Sequence, residues 1–142
     1  MLGRWHSVEG VVERGDQRGR TIGFPTANLG GVKEVVPPHG VYAVVVDQKG
    51  QAGHRALAAG VMNIGVRPTV GGDLRRTLES HLFAVSPDLY GETLRVHFVS
   101  RLREEKKFDG LPALKDQIVR DVERARALTA SLRPDPSHGA YA

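Results

Sequence analysis

Apolar and polar residues alternate over several stretches of the first hundred positions, the pattern of a strand with one buried face. The clearest stretches are richest in valine and other β-branched residues. They predict five strands, over residues 7–14, 41–46, 55–64, 77–85 and 93–102. Short connections between successive strands favour antiparallel pairing in a closed or nearly closed barrel.

Turn-forming residues lie between these stretches. Pro37, Pro38 and Gly40 predict a turn before the second stretch. Residues 47–53 are polar and contain two glycines, so they predict a hairpin connection. Residues 67–73 contain a proline and two glycines and predict a loop.

The spacing changes to three and four residues near the end of the chain, which predicts an amphipathic helix. Asp109 is placed to cap this helix, and Pro112 is tolerated in its first turn. We expect the helix to pack on the barrel and cover the core, with a role in stability rather than function. Its apolar stripe consists of Leu111, Leu114, Ile118, Val122, Ala125, Leu128 and Leu132.

A length of 142 residues predicts one domain, over residues 1–133, and the Pro- and Gly-rich residues 134–142 predict a disordered tail. The chain has no cysteine, which favours a reducing, cytoplasmic location. No apolar run reaches the length that spans a membrane, so we expect no membrane association. The net charge of +4 is modest and is typical of a solvated surface.

Three glycines, Gly15, Gly19 and Gly23, alternate with Arg18 and Arg20 after the first predicted strand. Glycine lets a backbone approach a ligand closely, and successive N–H groups in a turn form an anion site. The arginines add positive charge, so the segment is a candidate phosphate-binding loop. The alternative is a plain surface hairpin, because the segment matches neither of the two standard phosphate-loop patterns.

The next residues, Pro25 to Asn28, are candidates for metal binding. If this segment is extended, Thr26 and Asn28 point to the same side, because side chains alternate along a strand. A hydroxyl and an amide oxygen are hard ligands that suit Mg²⁺. Together with the glycines, they predict a triphosphate and metal site.

Glu79 is the candidate catalytic acid or base. It lies within a predicted strand, where glutamate is uncommon, in a stretch that also contains Leu78 and Leu82. A charge in such a position is costly unless it serves a purpose. The alternative is that Glu79 lies on the solvated face and pairs with Arg76 or His81. The histidines show no metal-ligand spacing, so we expect no transition-metal site.

The chain resembles the riboflavin kinases over residues 2–132, nearly its whole length. The resemblance implies a six-stranded antiparallel Greek-key barrel with a C-terminal α-helix packed on it. The sixth strand comes from the resemblance alone. The matching motifs are Gly10-Val11-Val12 leading to Gly15, Gly19-Arg20, the run from Gly23 to Asn28, Gly40-Val41-Tyr42, Asn63-Ile64-Gly65 with Arg67-Pro68-Thr69, Leu78-Glu79-Ser80-His81, the run from Asp88 to Glu92, and the run from Leu102 to Phe108.

This resemblance implies transfer of the ATP γ-phosphoryl group to the ribityl 5′-hydroxyl of riboflavin, giving FMN and ADP with Mg²⁺. It implies that Glu79 takes the hydroxyl proton. The implied nucleotide site consists of Gly15, Arg20, Gly23, Thr26 and Asn28, of which Thr26 and Asn28 also hold the metal. The implied flavin site consists of Arg103, Glu105 and Phe108.

Bifunctional relatives in this family carry an adenylyltransferase domain before the kinase, with a His-x-Gly-His type of nucleotide site. No such motif is present in this sequence, so no FAD synthesis is expected from it alone. The opening residues 1–4 resemble the junction between the two domains. We therefore expect a C-terminal module that an adenylyltransferase domain precedes, with a natural monofunctional kinase as the alternative.

Two other classes of function remain open at this point. A flavin-binding barrel without catalysis would not need Thr26, Asn28 and Glu79 together. A nucleic-acid-binding barrel would need aromatic residues interleaved with lysine and arginine on strand faces. The eight aromatic residues lie mostly at predicted loop or core positions, so we expect no nucleic-acid partner.

Overall fold

The chain folds into a six-stranded β-barrel with one helix against its outer face, which confirms the predicted fold class. The structure is a computed structural model, and it describes residues 6–13, 26–50, 53–68, 71–72, 74–82 and 90–130. The elements are β1 (Ser7–Glu13), β2 (Thr26–Gly30), β3 (Gly40–Gly50), β4 (Gly53–Pro68), β5 (Leu74–Leu82), β6 (Thr93–Arg103) and α1 (Leu111–Thr129).

Every strand pairs antiparallel with two neighbours, in the order β1-β2-β5-β4-β3-β6, and β6 pairs with β1 to close the barrel. Strands β3, β4 and β5 are successive hairpin partners, whereas β2 pairs with β5 rather than with β3. This arrangement is the Greek-key order. The strand that the hydrophobic pattern alone did not predict is β2, which is five residues long and too short to show clear alternation.

Two apolar clusters lie on opposite sides of the same sheet. The inward side chains of all six strands fill the barrel, and Tyr42 and Phe98 meet there edge to face with ring centroids 5.3 Å apart. The Tyr42 hydroxyl donates a hydrogen bond to the Pro38 carbonyl oxygen over 2.6 Å. The second cluster lies between the outer face of the barrel and α1, and it consists of Val41, Ala43, Val61, Leu102, Ile118, Val122 and Ala125.

Helix α1 therefore covers part of the outer face and does not close an end of the barrel. It packs on β3, β4 and β6. Ile118, Val122 and Ala125 are buried as the apolar stripe predicts, whereas Leu111 and Leu128 are exposed. Leu132 lies outside the described residues. The Arg124 Nη1 group donates to the Leu102 carbonyl oxygen over 2.7 Å and ties the helix to β6.

The predicted helix cap at Asp109 is wrong. The capping position is Gly110, with φ of 149° and ψ of 177°, and no side chain caps the helix there. Such a φ is easily adopted only by glycine, so Gly110 rather than Asp109 takes the capping position. The Leu114 N–H group donates to the Gly110 carbonyl oxygen over 3.2 Å, and Pro112 has no N–H group to satisfy.

The predicted hairpin connection between β3 and β4 is confirmed, but it is shorter than residues 47–53, because β3 continues to Gly50 and β4 begins at Gly53. The reason is that Asp47, although charged, has partners on the neighbouring strand. Arg95 donates to its Oδ2 atom over 3.0 Å, and the His97 Nε2 atom lies 2.9 Å from the same oxygen. Likewise β4 continues to Pro68 into the predicted loop, because Pro68 pairs with Leu74.

Candidate active site

A row of polar residues crosses three neighbouring strands on the outer face of the barrel. Glu79 on β5 pairs with Asn28 on β2 and with Asn63 on β4. Directly paired residues place their side chains on the same face, about 5 Å apart at Cβ. Leu78 and Ile64, adjacent in sequence to two of these residues, belong to the barrel core. The row therefore faces outward, and all three side chains are half-buried.

A pocket of about 590 Å³ includes part of this row, and a volume of that size suits a small molecule. One wall comes from β4 and β5. The other comes from residues 104–110, which we call the pocket loop, and from the first turn of α1. The lining residues are Asn63, Val66, Thr77, Glu79, Glu105, Lys106, Lys107, Phe108, Gly110, Leu111 and Leu114.

The lining combines charges with exposed apolar side chains. Val66 is 39% exposed and Leu111 is 48% exposed, and Phe108 lies in the same pocket. Large apolar side chains exposed in a concave site gain free energy when a ligand covers them. The carboxylates of Glu79 and Glu105 share this pocket with the two lysines of the pocket loop. Such a pocket suits a flat apolar ligand that carries polar substituents.

The pocket loop is held close to β4 and to the end of β6. The Glu105 carboxylate occupies the space that a side chain at Gly65 would need, so this glycine lets the Glu105 side chain lie against β4. The Phe108 ring has two cations near it, with the Arg103 Cζ atom 5.8 Å and the Lys106 Nζ atom 5.9 Å from the ring centroid. Both distances lie within the range of a cation–π interaction.

Arg103, the last residue of β6, makes a two-pronged ion pair with Asp121 on α1. Its Nη2 group lies 2.8 Å from Oδ2, and its Nε group lies 3.0 Å from Oδ1. The Arg103 side chain is 18% exposed and the Asp121 side chain 6%. The sequence placed Arg103 along a ligand but did not single out Asp121, because eighteen residues separate them and only the packing of α1 brings them together.

The predicted site residues fall into three groups. Gly15, Arg20 and Gly23 lie outside the described residues. Of Thr26, the structure describes the backbone, which begins β2 and pairs with His81. The remaining predicted residues lie near one another, since Glu79 pairs with Asn28, Glu105 and Phe108 line the pocket with Glu79, and Arg103 adjoins Phe108.

The sequence did not assign a role to Asn63, Thr77, Lys106 or Lys107, which also line the pocket. Asn63 stands out because its Oδ1 atom is buried and accepts no hydrogen bond within the part of the chain that the structure describes. A buried acceptor without a donor is costly. The one available signal in the sequence was the motif Asn63-Ile64-Gly65. An asparagine in a strand does not by itself indicate a functional role.

The Asp47 carboxylate is fully buried and does not line the pocket. Burial alone would raise the pKa of its carboxyl group, but the hydrogen bonds from His97 and Arg95 outweigh burial and hold that pKa below its usual value. Asp47 is therefore ionised near neutral pH. Its partners lie on β6, so we interpret this cluster as structural support for the β3–β6 pairing.

Two features are absent from the described ranges. No group of three or more His, Cys, Asp or Glu residues within them could hold a metal ion. No helix within them is both long enough and apolar enough to cross a membrane.

The comparisons with known proteins agree on one family. A bifunctional riboflavin kinase/FMN adenylyltransferase of Escherichia coli strain K12 is 44% identical over 94% of this chain and 41% of the relative. A structure from Streptococcus pneumoniae described as a macrolide-efflux protein is 35% identical, with a TM-score of 0.75, over 88% of this chain and 40% of that one. Riboflavin kinase from Trypanosoma brucei shares the fold, with a TM-score of 0.60 and 24% identity, over 92% of this chain and 83% of that one.

These relatives differ in length from this chain, which spans about two fifths of the curated bifunctional relative. The family model described as riboflavin kinase, or flavokinase, matches residues 2–129, which include every described strand and the whole of α1. The chain belongs to the riboflavin kinase family.

Proposed function

We propose that this chain transfers the γ-phosphoryl group of ATP to the ribityl 5′-hydroxyl of riboflavin. The observation that carries the proposal is Glu79, a carboxylate in the pocket that is paired across the sheet with Asn28 and Asn63. The hydroxyl oxygen forms a bond to the γ-phosphorus, the bond from that phosphorus to the ADP oxygen breaks, and the hydroxyl proton goes to Glu79. The products are FMN and ADP.

The flavin ring fits the apolar wall of the pocket in this proposal. Phe108, Val66 and Leu111 offer exposed apolar surface on that wall. Glu105 lines the same pocket and Arg103 lies against Phe108, so the three residues predicted for flavin binding form one proposed subsite, in which Arg103 supports the wall. Glu79 lines the same pocket, so a flavin bound against this wall would have its ribityl chain near that carboxylate.

The nucleotide and metal would bind at the β2 end of the row. Asn28 offers an amide oxygen next to the Glu79 carboxylate, and such hard oxygen donors suit Mg²⁺. Thr26, two residues earlier in β2, is the second proposed ligand. Bound Mg²⁺ would neutralise charge on the transferred phosphoryl group. Gly15, Arg20 and Gly23 are proposed to bind the nucleotide, on the basis of the sequence motif.

We further propose that FMN is the end product of this chain alone. The E. coli relative is named for two activities, and this chain matches about two fifths of its length. The adenylyltransferase activity in that name would then belong to a preceding domain, as the sequence predicted. The cytoplasmic location stays a prediction.

One assay tests the proposal. Purified protein with riboflavin, ATP and Mg²⁺ should give FMN and ADP in equal amounts, separated by chromatography and detected by flavin fluorescence and absorbance. No FAD should form with excess ATP, and chelation of Mg²⁺ should stop turnover. A protein with Asn28→Ala should need more Mg²⁺ for half-maximal rate. Riboflavin left unphosphorylated by the folded protein would refute the proposal, and FAD from clean protein would refute the single-product statement.

A further inference from the structure

Asp121 is an acidic residue of α1 that is only 5% exposed, which is unusual for a charged residue on a surface helix. Its side chain pairs with Arg103 on the barrel. Both of its oxygens accept hydrogen bonds from Arg103, and the Gln117 Nε2 group donates to Oδ1 over 3.0 Å. Its carboxylate is therefore already engaged by protein groups. A role for Asp121 must act through Arg103 rather than through contact with a substrate.

Arg103 in turn reaches the pocket loop by two routes. Its Nη1 group donates to the carbonyl oxygen of Glu104, the first residue of the loop, over 2.9 Å. Its guanidinium group also lies 5.8 Å from the centre of the Phe108 ring. The same side chain thus joins α1 to both ends of the stretch that carries Glu105.

A planar guanidinium group held at two of its nitrogens has one orientation, whereas a free arginine side chain has many. The ion pair with Asp121 therefore fixes where the third nitrogen and the face of the group lie. These are the parts of Arg103 that contact the pocket loop. Loss of the ion pair would release the loop without altering any residue that lines the pocket.

We propose that Asp121 is a positioning residue for the flavin substrate, which it serves by fixing Arg103 and, through Arg103, the pocket loop. The inference rests on the proposed function, since it takes the pocket loop as the flavin wall. It gives Arg103 an indirect effect on flavin binding, through the placement of Phe108 and Glu105. Asn28, at the nucleotide end of the site, is not among the described residues that hydrogen-bond with Arg103 or stack on it, so we expect ATP binding to be unaffected.

The test compares three variants of the full chain. Asp121→Asn keeps the size of the side chain but removes its charge, and Asp121→Glu keeps the charge. Arg124→Met is the matched control, because it removes a helix-to-β6 hydrogen bond three residues away that ends on Leu102 rather than on the pocket loop. Thermal melting identifies how much each change destabilises the fold.

Two measurements show how each variant affects substrate binding and turnover. Riboflavin binding is measured by flavin fluorescence, and kcat and both KM values by FMN formation. Asp121→Asn should raise the Kd and KM for riboflavin roughly fivefold, since coupling of this kind is worth about 1 kcal/mol. Its kcat and its KM for ATP should stay within about twofold. Asp121→Glu should lie closer to the unmodified protein, and Arg124→Met should leave riboflavin binding within about twofold.

Limited proteolysis by trypsin, with no flavin present, reports on the loop itself. Cleavage after Lys106 and Lys107 should be faster in Asp121→Asn than in Arg124→Met, after allowance for their melting temperatures. Equal cleavage of the two variants, or faster cleavage with unchanged riboflavin affinity, would overturn the inference. If the unmodified chain binds no riboflavin, the proposed function fails and the inference with it, while proteolysis still shows whether Asp121 holds the loop.

Discussion

The outer face of this barrel has a covered half and an open half. On the covered half, Val41, Ala43 and Leu102 are buried beneath α1. On the open half, Glu79 and Asn63 line a pocket instead. The boundary between the halves is sharp, because Asn63 pairs with Glu79 on one side and with Val41 on the other.

The difference shows how one small barrel serves two purposes. The inward apolar cluster fills the barrel independently of the outer side chains. The outer face can therefore carry residues for packing or for binding. Covering one half with an apolar helix adds buried area and stability. Leaving the other half open permits polar side chains that would be costly beneath a helix. Where the covered region does contain a charge, as at Asp121, a partner of opposite charge lies against it.

The largest expected effect comes from changing the open half at Glu79. Glu79→Gln keeps the shape but accepts a proton poorly, so turnover should fall by a factor of roughly 10²–10⁴. Riboflavin and ATP binding should change only a few-fold, and kcat and binding are measured separately. Glu104→Gln is the control, because that exposed carboxylate does not line the pocket. Normal turnover in well-folded Glu79→Gln would remove Glu79 from the mechanism.

The covered half should respond in stability rather than in turnover. Ile118→Ala shortens a side chain that is buried between α1 and the outer face of the barrel. It should lower the free energy of unfolding by about 2–4 kcal/mol, measured with urea. The folded fraction should keep its normal kcat. Val119→Ala, at a position 37% exposed on the same helix, should change stability by about 0.5 kcal/mol or less. A large loss of kcat with unchanged stability would contradict the division into two halves.

Phe108 tests the apolar wall where the two halves meet. Phe108→Ala should weaken riboflavin binding by about 1 kcal/mol, because one aromatic contact is lost, and ATP binding should stay the same. Fluorescence titration gives the flavin affinity. Leu128→Ala removes an exposed apolar side chain near the other end of α1 and should leave binding unchanged. Equal losses for riboflavin and ATP would indicate a general disturbance of the loop.

The smallest expected effect concerns Asp47 and pH. The pKa of Asp47 is held below its ordinary value near 3.8 in the folded state, so its stabilising contribution is complete above that pH and is lost as the pH falls through the lower, folded value. A single group changes stability by at most about 1.4 kcal/mol per pH unit. Urea unfolding between pH 6 and pH 3 should therefore show a shallower pH dependence for Asp47→Asn. Exposed Asp116→Asn is the control, and an equal change in both variants would contradict this role.

Strand pattern and site chemistry were predictable to different degrees from the sequence. The alternation of Leu94 and Val96 with polar neighbours identified β6, and the three- and four-residue spacing identified α1, because both patterns are local. Glu79 was found because a carboxylate in a strand is unusual. Asn63 was not identified from the sequence, because only its pairing with Glu79 and its buried Oδ1 atom indicate a role in the site.

The sequence by itself determined the family and the barrel class, since these depend on local pattern and motif, and it supplied the candidate residues for the chemistry that we propose. The tertiary structure decided which of those residues meet. Asn28 lies beside Glu79 because β2 pairs with β5 rather than with β3, a choice made by pairing between strands far apart in the chain. Arg103 faces Asp121 because α1 packs back on β6. Contacts of this kind depend on packing between distant segments, which local sequence pattern does not encode.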